Sequence, residues 1–464
     1  MKPKTWICLA LWLLVVGCTP ELDVTVDPPQ RIVLVTLDTL RADHMSAYGH
    51  PIQTTPFFDS LAEKGVLFRR AYSHSATTKP SHSSIFTSLY VMQHRVESNT
   101  LVLDDAYTTL AEMLSDAGFR TAAFVSVDAP LSGNLNQGFA TWDQFQKNKK
   151  LEQKSQYRPA GETVDAALKW LETVDPSEKV FLWVHVYDPH RPMKPPQGHL
   201  ERVRQMIDEI GVDQYDAVLE ARGIPTDRPS YSEVLEYDAE VLYVDTEIGR
   251  LFIQMRQAGL GEDALWILTG DHGQGLGAHE WFGHSKQIYN AQLHVPMLFW
   301  LSEVRRPIEV EGIVEHVDLL PTIAELVGVA TEQIMPIQGR SLVPYLKGGR
   351  PSDPKRFSFA ERSRYAEARG RRKKKGNFES GSRYALQDKR FKYQLFTEGE
   401  DEFYDLEEDP YEMNNLIGVE ELANNREPML EALQELIRTL PTGVEAQTVS
   451  PEEIERLRAL GYIQ

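Results

Sequence analysis

Short runs of apolar, largely β-branched residues, each followed by a helical pattern, constrain this chain more than any other feature of its sequence. Residues 32–37 read IVLVTL and residues 180–186 read VFLWVHV, and similar runs occupy residues 121–127, 264–268 and 295–300. Such runs are typical of strands buried on both faces. Their alternation with helices predicts an α/β fold with a large, mostly parallel sheet flanked by helices.

Polar side chains that can bind a metal or transfer a proton follow several of these runs. Asp38 follows IVLVTL, His190 lies shortly after VFLWVHV, and the pair Asp271 and His272 follows a third run. Because ligands of an open α/β sheet bind beyond the carboxyl ends of its strands, we expect these side chains to face one crevice. Carboxylate and imidazole groups suit a divalent metal ion. Taken singly, Asp38 also fits the cap of a helix. Asp271 also fits a glycine-rich turn in which it caps the next element, and His190 also fits a structural role.

A hydroxyl group stands at the start of a helical pattern in TTKPSHSSIF, residues 77–86. Pro80 suits the first turn of a helix, so Thr78 is expected at or just before the helix N-terminus. Free N–H groups and a partial positive charge favour anions at that end. Thr78 is therefore either an ordinary helix cap or a hydroxyl that meets a negatively charged ester.

The N-terminus has the pattern of a targeting segment. Two lysines precede an apolar run at residues 6–16, which is too short to span a bilayer with ease. The run ends in VVGC, which resembles a bacterial lipobox, so we expect lipidation of Cys18; an ordinary signal peptide or an apolar anchor is the alternative. Cys8 is the only other cysteine, so the mature chain would have no free thiol for catalysis. These features predict a bacterial cell-envelope protein, lipid-anchored on the periplasmic or surface side of a membrane.

The formal net charge of the chain is -19. Such an acidic surface argues against a nucleic-acid partner, because phosphate groups would be repelled. An anionic substrate would need a locally positive site, and a metal cation is one way to supply it.

We predict four regions: a signal peptide at 1–17, a tether at 18–30, a catalytic α/β domain at 31–345 and a smaller C-terminal α+β subdomain at 346–464. The C-terminal subdomain is expected to contain an antiparallel hairpin over residues 384–396. A polar, helix-prone segment at 199–229 has the character of a lid or an insertion. A basic loop at 370–376, GRRKKKG, is either a solvated loop or a contact to an anionic surface.

Several segments, in this order along the chain, resemble the sulfatase family of the alkaline-phosphatase superfamily. VLVTLDTLRADHMSAYG is similar to the family's first metal-binding segment, TTKPSHSSIFTSLY to its nucleophile segment, and TGDHGQGLGAHEWFGHS to its second metal segment. VHVYDPHRP and EHVDLLPTIAELVG also have counterparts. The resemblance implies an ester hydrolase in which Asp38, Asp271 and His272 bind a metal ion. Thr78 would be both the nucleophile and a metal ligand.

The same resemblance implies roles for residues around the nucleophile. His190 matches a histidine that contacts the anionic group of the substrate, and His284 lies near a position where relatives have a lysine or a histidine. Either histidine is a candidate for the acid that protonates the leaving oxygen. Lys79 and His82, which stand in the nucleophile segment, are expected to bind substrate.

The chain also departs from the family pattern. Thr39 stands where the family has a second carboxylate, His82 replaces an arginine, and AFVSVD at residues 123–128 replaces a segment with a lysine and a histidine. Thr78 replaces the Cys or Ser that sulfatases oxidise to formylglycine, and a threonine cannot become that aldehyde. The remaining ligand set implies one divalent metal ion, with manganese, zinc or magnesium favoured over calcium.

These observations predict a metal-dependent hydrolase that cleaves sulfuric or phosphoric esters through a threonine nucleophile. The expected substrate is an anionic ester, such as a sulfated or phosphorylated glycan or lipid. Two alternatives stay open. The first is a phosphotransferase or phosphodiesterase acting on an envelope glycan or lipid, and the second is a catalytically lapsed protein that binds at the membrane surface.

Overall fold

The structure of the protein, a computed structural model, describes residues 27–127, 131–145, 157–334, 336–349, 356–363 and 381–460. The predicted signal peptide, Cys18, most of the tether and the basic loop at 370–376 lie outside the described residues.

Strands and helices alternate through the first two thirds of the chain, as the apolar runs predict. The strands are β1 (Arg31–Leu37), β2 (Val66–Tyr72), β3 (Arg120–Val125), β4 (Thr141–Gln144), β5 (Val180–Val186), β6 (Ala264–Gly270), β7 (His294–Trp300), β8 (Ile308–Glu315), β9 (Ser358–Arg362), β10 (Arg383–Gln387), β11 (Phe391–Phe396) and β12 (Glu402–Asp405). The α-helices are α1 (Pro56–Ala62), α2 (Thr78–Thr87), α3 (Val91–His94), α4 (Leu110–Asp116), α5 (Ala160–Leu171), α6 (Gln197–Ile210), α7 (Val212–Ala221), α8 (Arg228–Gln257), α9 (Asn290–Leu293), α10 (Leu319–Val327), α11 (Val343–Leu346), α12 (Ala423–Thr439) and α13 (Pro451–Leu460).

An eight-stranded sheet with the order β4-β3-β5-β1-β6-β7-β2-β8 forms the centre of the molecule. Neighbouring strands from β4 through β6 are all parallel, and β2 is parallel to β8. Strand β7 is antiparallel to both β6 and β2, a reversal that the sequence pattern did not predict. The prediction of a large, mostly parallel sheet flanked by helices is confirmed.

The two faces of this sheet bury separate apolar clusters. On β1, Val33 and Val35 pack in a cluster with residues of α5 and α8, whereas Ile32 and Leu34 pack on the opposite face with residues of α2, α4 and α10. All four side chains are fully buried. A strand covered by helices on both faces needs apolar residues at every position, and this explains the continuous IVLVTL run.

The C-terminal part contains a second, antiparallel sheet with the order β12-β11-β10-β9. Strands β10 and β11 form the predicted hairpin, and α12 packs Met429 and Leu433 against Phe403 of this sheet. The expected α+β character of the C-terminal subdomain is therefore confirmed.

The lid-like segment consists of two helices, α6 and α7, and it ends as α8 begins at Arg228. Helix α8 therefore starts three residues earlier than Tyr231, where the apolar pattern begins. Within the part of the chain that the structure describes, no helix is both long enough and apolar enough to cross a membrane.

Candidate active site

The register of the parallel strands brings Asp38 and Asp271 together. Leu37 lies opposite Gly270 in the β1–β6 pairing, so the next residue on each strand emerges at the same edge of the sheet. The Asp271 N–H donates to the Leu37 carbonyl over 3.2 Å. His185, near the end of β5, adds an imidazole whose Nε2 lies 3.7 Å from Asp38 Oδ2. The ends of these three strands therefore bring two carboxylates and an imidazole together at one edge of the sheet.

The Asp271 carboxylate uses one oxygen for hydrogen bonds within the protein and turns the other towards the site. Its Oδ1 accepts from the N–H groups of Thr39 at 3.0 Å and His272 at 2.7 Å. Among the described residues, its buried Oδ2 has no hydrogen-bond partner. Burial, and then the nearby Asp38, raise the pKa of Asp271 well above its ordinary range. Two buried carboxylates at this spacing fit a site for a divalent cation, whose charge would offset their repulsion.

His272 is oriented as a metal ligand would be. Its Nδ1 lies 2.9 Å from the Gly273 carbonyl, which can only accept, so Nδ1 carries the proton and Nε2 presents a lone pair. That Nε2 lies 3.3 Å from Thr78 Oγ1, 3.6 Å from Asp271 Oδ2 and 4.0 Å from Asp38 Oδ1. One ligand atom each of Asp38, Asp271 and His272 lie within 4.8 Å of one another. The structure thus brings together all four residues of the expected metal set.

Thr78 is the first residue of α2, which begins where the sequence predicted a helix N-terminus. Thr77 before it has an extended backbone and makes no side-chain capping bond. Thr78 is not the N-cap residue of α2, because it lies within the first turn. Its Oγ1 points to His272 instead. The N-terminal end of α2 therefore faces the metal cluster, where its partial positive charge would favour an anion.

His190 and His284 form a hydrogen-bonded pair next to this cluster. Their Nε2 atoms are 2.9 Å apart, and the ring centroids of His284 and His272 are 4.7 Å apart. His190 Nδ1 donates to the Arg191 carbonyl at 2.5 Å, and His284 Nδ1 lies 3.1 Å from the Ala76 carbonyl, so both rings turn Nε2 towards each other. The Ser285 hydroxyl lies 2.7 Å from His284 Nδ1. Burial lowers the pKa of both histidines to about 4.

Two family profiles match this chain. The profile described as Sulfatase matches residues 30–329. The chain belongs to the sulfatase family. The profile described as N-sulphoglucosamine sulphohydrolase, C-terminal, matches residues 277–439. Membership makes the protein an enzyme of the ester-hydrolase type.

Several known proteins are similar over most of their length. The multifunctional alkaline phosphatase superfamily protein PehA of Trinickia caryophylli is 25% identical, over 84% of this chain and 91% of that protein. An N-acetylglucosamine-6-O-sulfatase of Bacteroides thetaiotaomicron is 23% identical, over 94% of this chain and 90% of that protein. The crystal structure of phosphonate monoester hydrolase of Agrobacterium radiobacter shares the fold with a TM-score of 0.69 and 21% identity, covering 91% of this chain and 100% of that one. A structure in complex with its substrate D-glucosamine-2-N,6-O-disulfate has a TM-score of 0.71 and 22% identity, covering 89% and 98%.

The backbone of Thr39, the residue that the resemblance implies stands in place of a carboxylate, contacts the site. Its φ of +59° is in the left-handed region, which is rare for a β-branched residue. This conformation directs the Thr39 N–H to Asp271 Oδ1, and the Tyr237 hydroxyl donates to the Thr39 carbonyl at 2.8 Å. Helix α8 thereby holds the loop after β1 in the shape that orients Asp271.

His82 is buried beneath Thr78, which differs from the expected contact with substrate. Its Nδ1 lies 2.8 Å from the Thr78 carbonyl, one turn earlier on α2, and its Nε2 lies 3.1 Å from Thr36 Oγ1. Both ring nitrogens already have partners in the protein, so His82 supports Thr78 from within the helix. His185 Nδ1 contacts the same Thr36 hydroxyl at 2.9 Å.

Lys79 is also fully buried, which was not expected of a residue that binds substrate. Its N–H donates to Asn99 Oδ1 at 2.8 Å, and its Nζ lies 3.3 Å from the point where a Cβ on Gly133 would be. Among the described residues its Nζ has no hydrogen-bond partner, and burial lowers the pKa of Lys79 to about 7. A lysine of such low pKa carries only part of a positive charge at neutral pH, so Lys79 would be a weak anion ligand.

A second buried cluster, missed by sequence reasoning, links the loop after β1 to α8. Asp238 accepts from His44 Nδ1 at 2.7 Å and from His50 Nε2 at 3.1 Å, and the Tyr215 hydroxyl also donates to it. Arg222 Nη1 lies 3.1 Å from His50 Nδ1. These hydrogen bonds join the lid helices and α8 to the loop after β1, so we interpret the cluster as a brace between the lid helices and the site. The histidines in DHMSAYGH were visible in the sequence, but their partner lies almost two hundred residues later.

The histidines at 279 and 294, for which the sequence indicated no function, make structural contacts. His279 stacks on Tyr289 with ring centroids 3.7 Å apart, and its Nε2 lies 3.0 Å from the Tyr411 carbonyl. His294 Nε2 lies 2.9 Å from the Arg69 carbonyl.

Proposed function

We propose that this enzyme hydrolyses sulfuric or phosphoric esters through a covalent ester on Thr78, with one divalent metal ion held by Asp38, Thr78, Asp271 and His272. The observation that carries the proposal is the convergence of three atoms at the start of α2: Thr78 Oγ1, the proton-free His272 Nε2 and Asp271 Oδ2. Within the described part of the chain, this carboxylate oxygen has no hydrogen-bond partner. When bound, the metal ion supplies positive charge that lowers the pKa of the Thr78 hydroxyl and balances negative charge on the transferred group. Manganese, zinc and magnesium suit this mixed oxygen and imidazole set better than calcium.

In the first step Thr78 Oγ1 loses its proton to solvent and forms a bond to sulfur or phosphorus, while the bond from that atom to the leaving oxygen breaks. The N-terminal end of α2 stabilises the negative charge that spreads over the equatorial oxygens. The His284–His190 pair, whose Nε2 atoms lie 2.9 Å apart, transfers a proton to the leaving oxygen when one of its rings is protonated. An anionic ester beside the pair favours the protonated state, which offsets the pKa of about 4 that burial gives these histidines.

The second step needs an external nucleophile. Threonine would give a ketone, not an aldehyde, on oxidation, so the formylglycine route of sulfatases is closed. Water therefore attacks the Thr78 ester and regenerates the hydroxyl. If an alcohol acts in place of water, the same ester supports the transfer reaction, and a product formed on added glycerol would identify it.

Replacing the nucleophile tests this mechanism. We expect Thr78→Ala to reduce turnover of 4-nitrophenyl sulfate or phosphate by roughly a thousandfold or more, with the fold intact. Mass spectrometry of the acid-quenched wild type should find a sulfated or phosphorylated Thr78. Thr77→Ala is the matched control, because Thr77 neighbours the nucleophile and makes no capping bond. Full activity of Thr78→Ala in the presence of each candidate metal would disprove the proposal.

We further propose that the protein is a lipid-anchored envelope protein whose substrate is a sulfated or phosphorylated glycan or lipid. The support for the anchor is the VVGC sequence at Cys18, and the support for a glycan is the N-acetylglucosamine-6-O-sulfatase among its relatives. The full chain, expressed in a bacterium with a labelled fatty acid, should carry the label, and Cys18→Ser should not. An unlabelled wild type in the soluble fraction would contradict the anchor.

A further inference from the structure

The segment that carries His284 lies against the chain that leads to the nucleophile. We call this segment the His284 loop and define it as residues 279–290. His284 Nδ1 lies 3.1 Å from the carbonyl of Ala76, which precedes Thr78 by two residues. The Ser285 hydroxyl donates to the same carbonyl at 3.2 Å. The position of His284 relative to the nucleophile therefore depends on how the His284 loop is held.

The C-terminal sheet contacts both the His284 loop and the segment before Thr78. One apolar cluster joins the two segments to the sheet, and it consists of Ala76, Ile288, Leu293, Ala360 and Ala385. In β9, the Glu361 N–H donates to the His74 carbonyl at 2.9 Å. The next residue of β9, Arg362, donates from Nη1 to the Lys286 carbonyl at 3.0 Å. Strand β9 is therefore a common support for the two segments.

A buried ion pair joins the same sheet to the end of the His284 loop. Lys392 of β11 and Glu412 are both fully buried, and Lys392 Nζ lies 2.6 Å from Glu412 Oε1. Lys392 Nζ also donates to the Ile288 carbonyl at 2.8 Å and to Asn290 Oδ1 at 3.1 Å. Glu412 Oε2 accepts from the Asn290 N–H at 2.5 Å. Because an ammonium group has three N–H donors, every donor of Lys392 is used in this contact.

The ion pair has costs that its contribution to stability does not explain. The attraction between two buried charges often does no more than offset the cost of removing both from water. Apolar side chains of similar size could therefore fill this space without loss of stability. Glu412 also has a φ of +59°, in the left-handed region that is uncommon for residues with a side chain. These costs are in keeping with a pair whose role is to fix the position of the loop.

We propose that Lys392 and Glu412 are positioning residues, which hold the His284 loop so that the His284–His190 pair can protonate the leaving oxygen. The inference rests on the proposed function, since it assumes this proton transfer. Among the described residues, the side chains of Lys392 and Glu412 form no hydrogen bond with the four residues of the metal set. Loss of the ion pair should therefore impair protonation of the leaving group and leave attack by Thr78 intact.

The dependence of turnover on the leaving group tests this role. We would measure kcat/KM for the phenyl and 4-nitrophenyl esters of sulfate and of phosphate, because phenolate is the more basic leaving group and gains more from protonation. His284→Ala should lower kcat/KM by roughly a hundredfold for the phenyl ester and by less than about threefold for the 4-nitrophenyl ester. Lys392→Met combined with Glu412→Leu should lower the phenyl value by about tenfold, again with less than about threefold for 4-nitrophenyl, because the loop shifts.

A combination with His284→Ala shows whether the ion pair acts through His284. In the His284→Ala background, Lys392→Met and Glu412→Leu should cause no further loss that is specific to the phenyl ester, because the residue they position is absent. Tyr289→Phe provides a milder change if the double variant does not fold, since it removes only the hydroxyl that donates to Glu402 Oε1 at 3.0 Å. It should lower the phenyl value about threefold more than the 4-nitrophenyl value.

Arg390→Met combined with Asp405→Asn is the matched control. It removes an ion pair of the same sheet, in which Arg390 Nη2 lies 2.8 Å from Asp405 Oδ2, and it should leave both kcat/KM values within about twofold of the wild type. Equal losses for the two esters in the variants that fold, or a phenyl-specific loss that adds to that of His284→Ala, would overturn the positioning role. If His284→Ala itself shows no difference between the esters, the proposed proton transfer is disproved, and the positioning role with it.

Discussion

Replacing Lys79 with methionine removes a buried ammonium group for which the described residues provide no hydrogen-bond partner. The side chain is fully buried beside Gly133, and burial lowers the pKa of Lys79 from 10.5 to about 7, with a smaller opposing effect of Glu453. Methionine has nearly the same length and no charge. The substitution therefore removes the cost of burying the amine without leaving a large cavity.

The size and the pH dependence of the effect follow from this pKa. Because the pKa of Lys79 is lower in the folded than in the unfolded state, the folded state binds fewer protons between about pH 7 and 10.5, and wild-type stability rises with pH in that window. At about 1.4 kcal/mol per pH unit, burial of Lys79 destabilises the wild type by roughly 4–5 kcal/mol at neutral pH and by roughly 2 kcal/mol two pH units higher. We expect Lys79→Met to be more stable than the wild type by these amounts.

Urea unfolding followed by tryptophan fluorescence at a series of pH values measures this difference. Lys169→Met is the control, because it removes the same charge from an exposed position of α5 and should change the free energy of unfolding by less than about 0.5 kcal/mol. The reasoning is refuted if Lys79→Met is less stable than the wild type, or if the difference is the same across that pH range. Either result would mean that the ammonium is charged in the folded protein and has an anionic partner.

Two further substitutions test the surroundings of the site. Thr39→Gly should keep turnover, because the backbone N–H that donates to Asp271 remains. It should change the free energy of unfolding by less than about 1 kcal/mol, because relief of the left-handed backbone strain offsets the conformational entropy that glycine loses on folding. An inactive, folded variant would show that the Thr39 side chain itself acts. The second substitution is at Glu240, whose pKa is raised to about 9 by burial and, to a smaller extent, by Asp188. Between about pH 4.5 and 9 the folded state therefore retains a proton that the unfolded state releases, and the wild type becomes less stable as pH rises. Glu240→Gln keeps the acceptor for the Lys194 N–H but has no carboxyl group to titrate. The difference in free energy of unfolding between this variant and the wild type, measured in urea, should therefore grow in favour of the variant as pH rises. A difference independent of pH would contradict a protonated Glu240.

The convergence of Asp38, Thr78, Asp271 and His272 was predictable from sequence because these residues stand at points that local patterns define. Asp38 and Asp271 each follow a continuous apolar run, and parallel strands end at one edge of a sheet whatever their order. Thr78 follows from Pro80, which suits only the first turn of a helix. The resemblance to sulfatases then assigned roles to these positions, and the family membership agrees with that resemblance.

The roles of His82, Lys79 and Asp238 could not be read from the same patterns. His82 and Lys79 lie within five residues of each other on α2, yet one supports Thr78 through Thr36 and the other points to Gly133. Which neighbour a helical side chain meets depends on elements far away in the chain. Asp238 meets His44 only because α8 packs across the loop after β1.

The sequence by itself therefore indicated five of the eight strands in the large sheet, the hairpin, the helix that starts at Thr78 and the side chains present at several strand ends, since these depend on apolar periodicity and on turn residues close in the chain. Only the tertiary structure decided the antiparallel β7 and the facing His190 and His284. It also decided that Arg191 lies over Phe282 across two loops. These features depend on contacts between segments far apart in the chain, and packing, not local pattern, fixes which of many polar side chains come within hydrogen-bond distance.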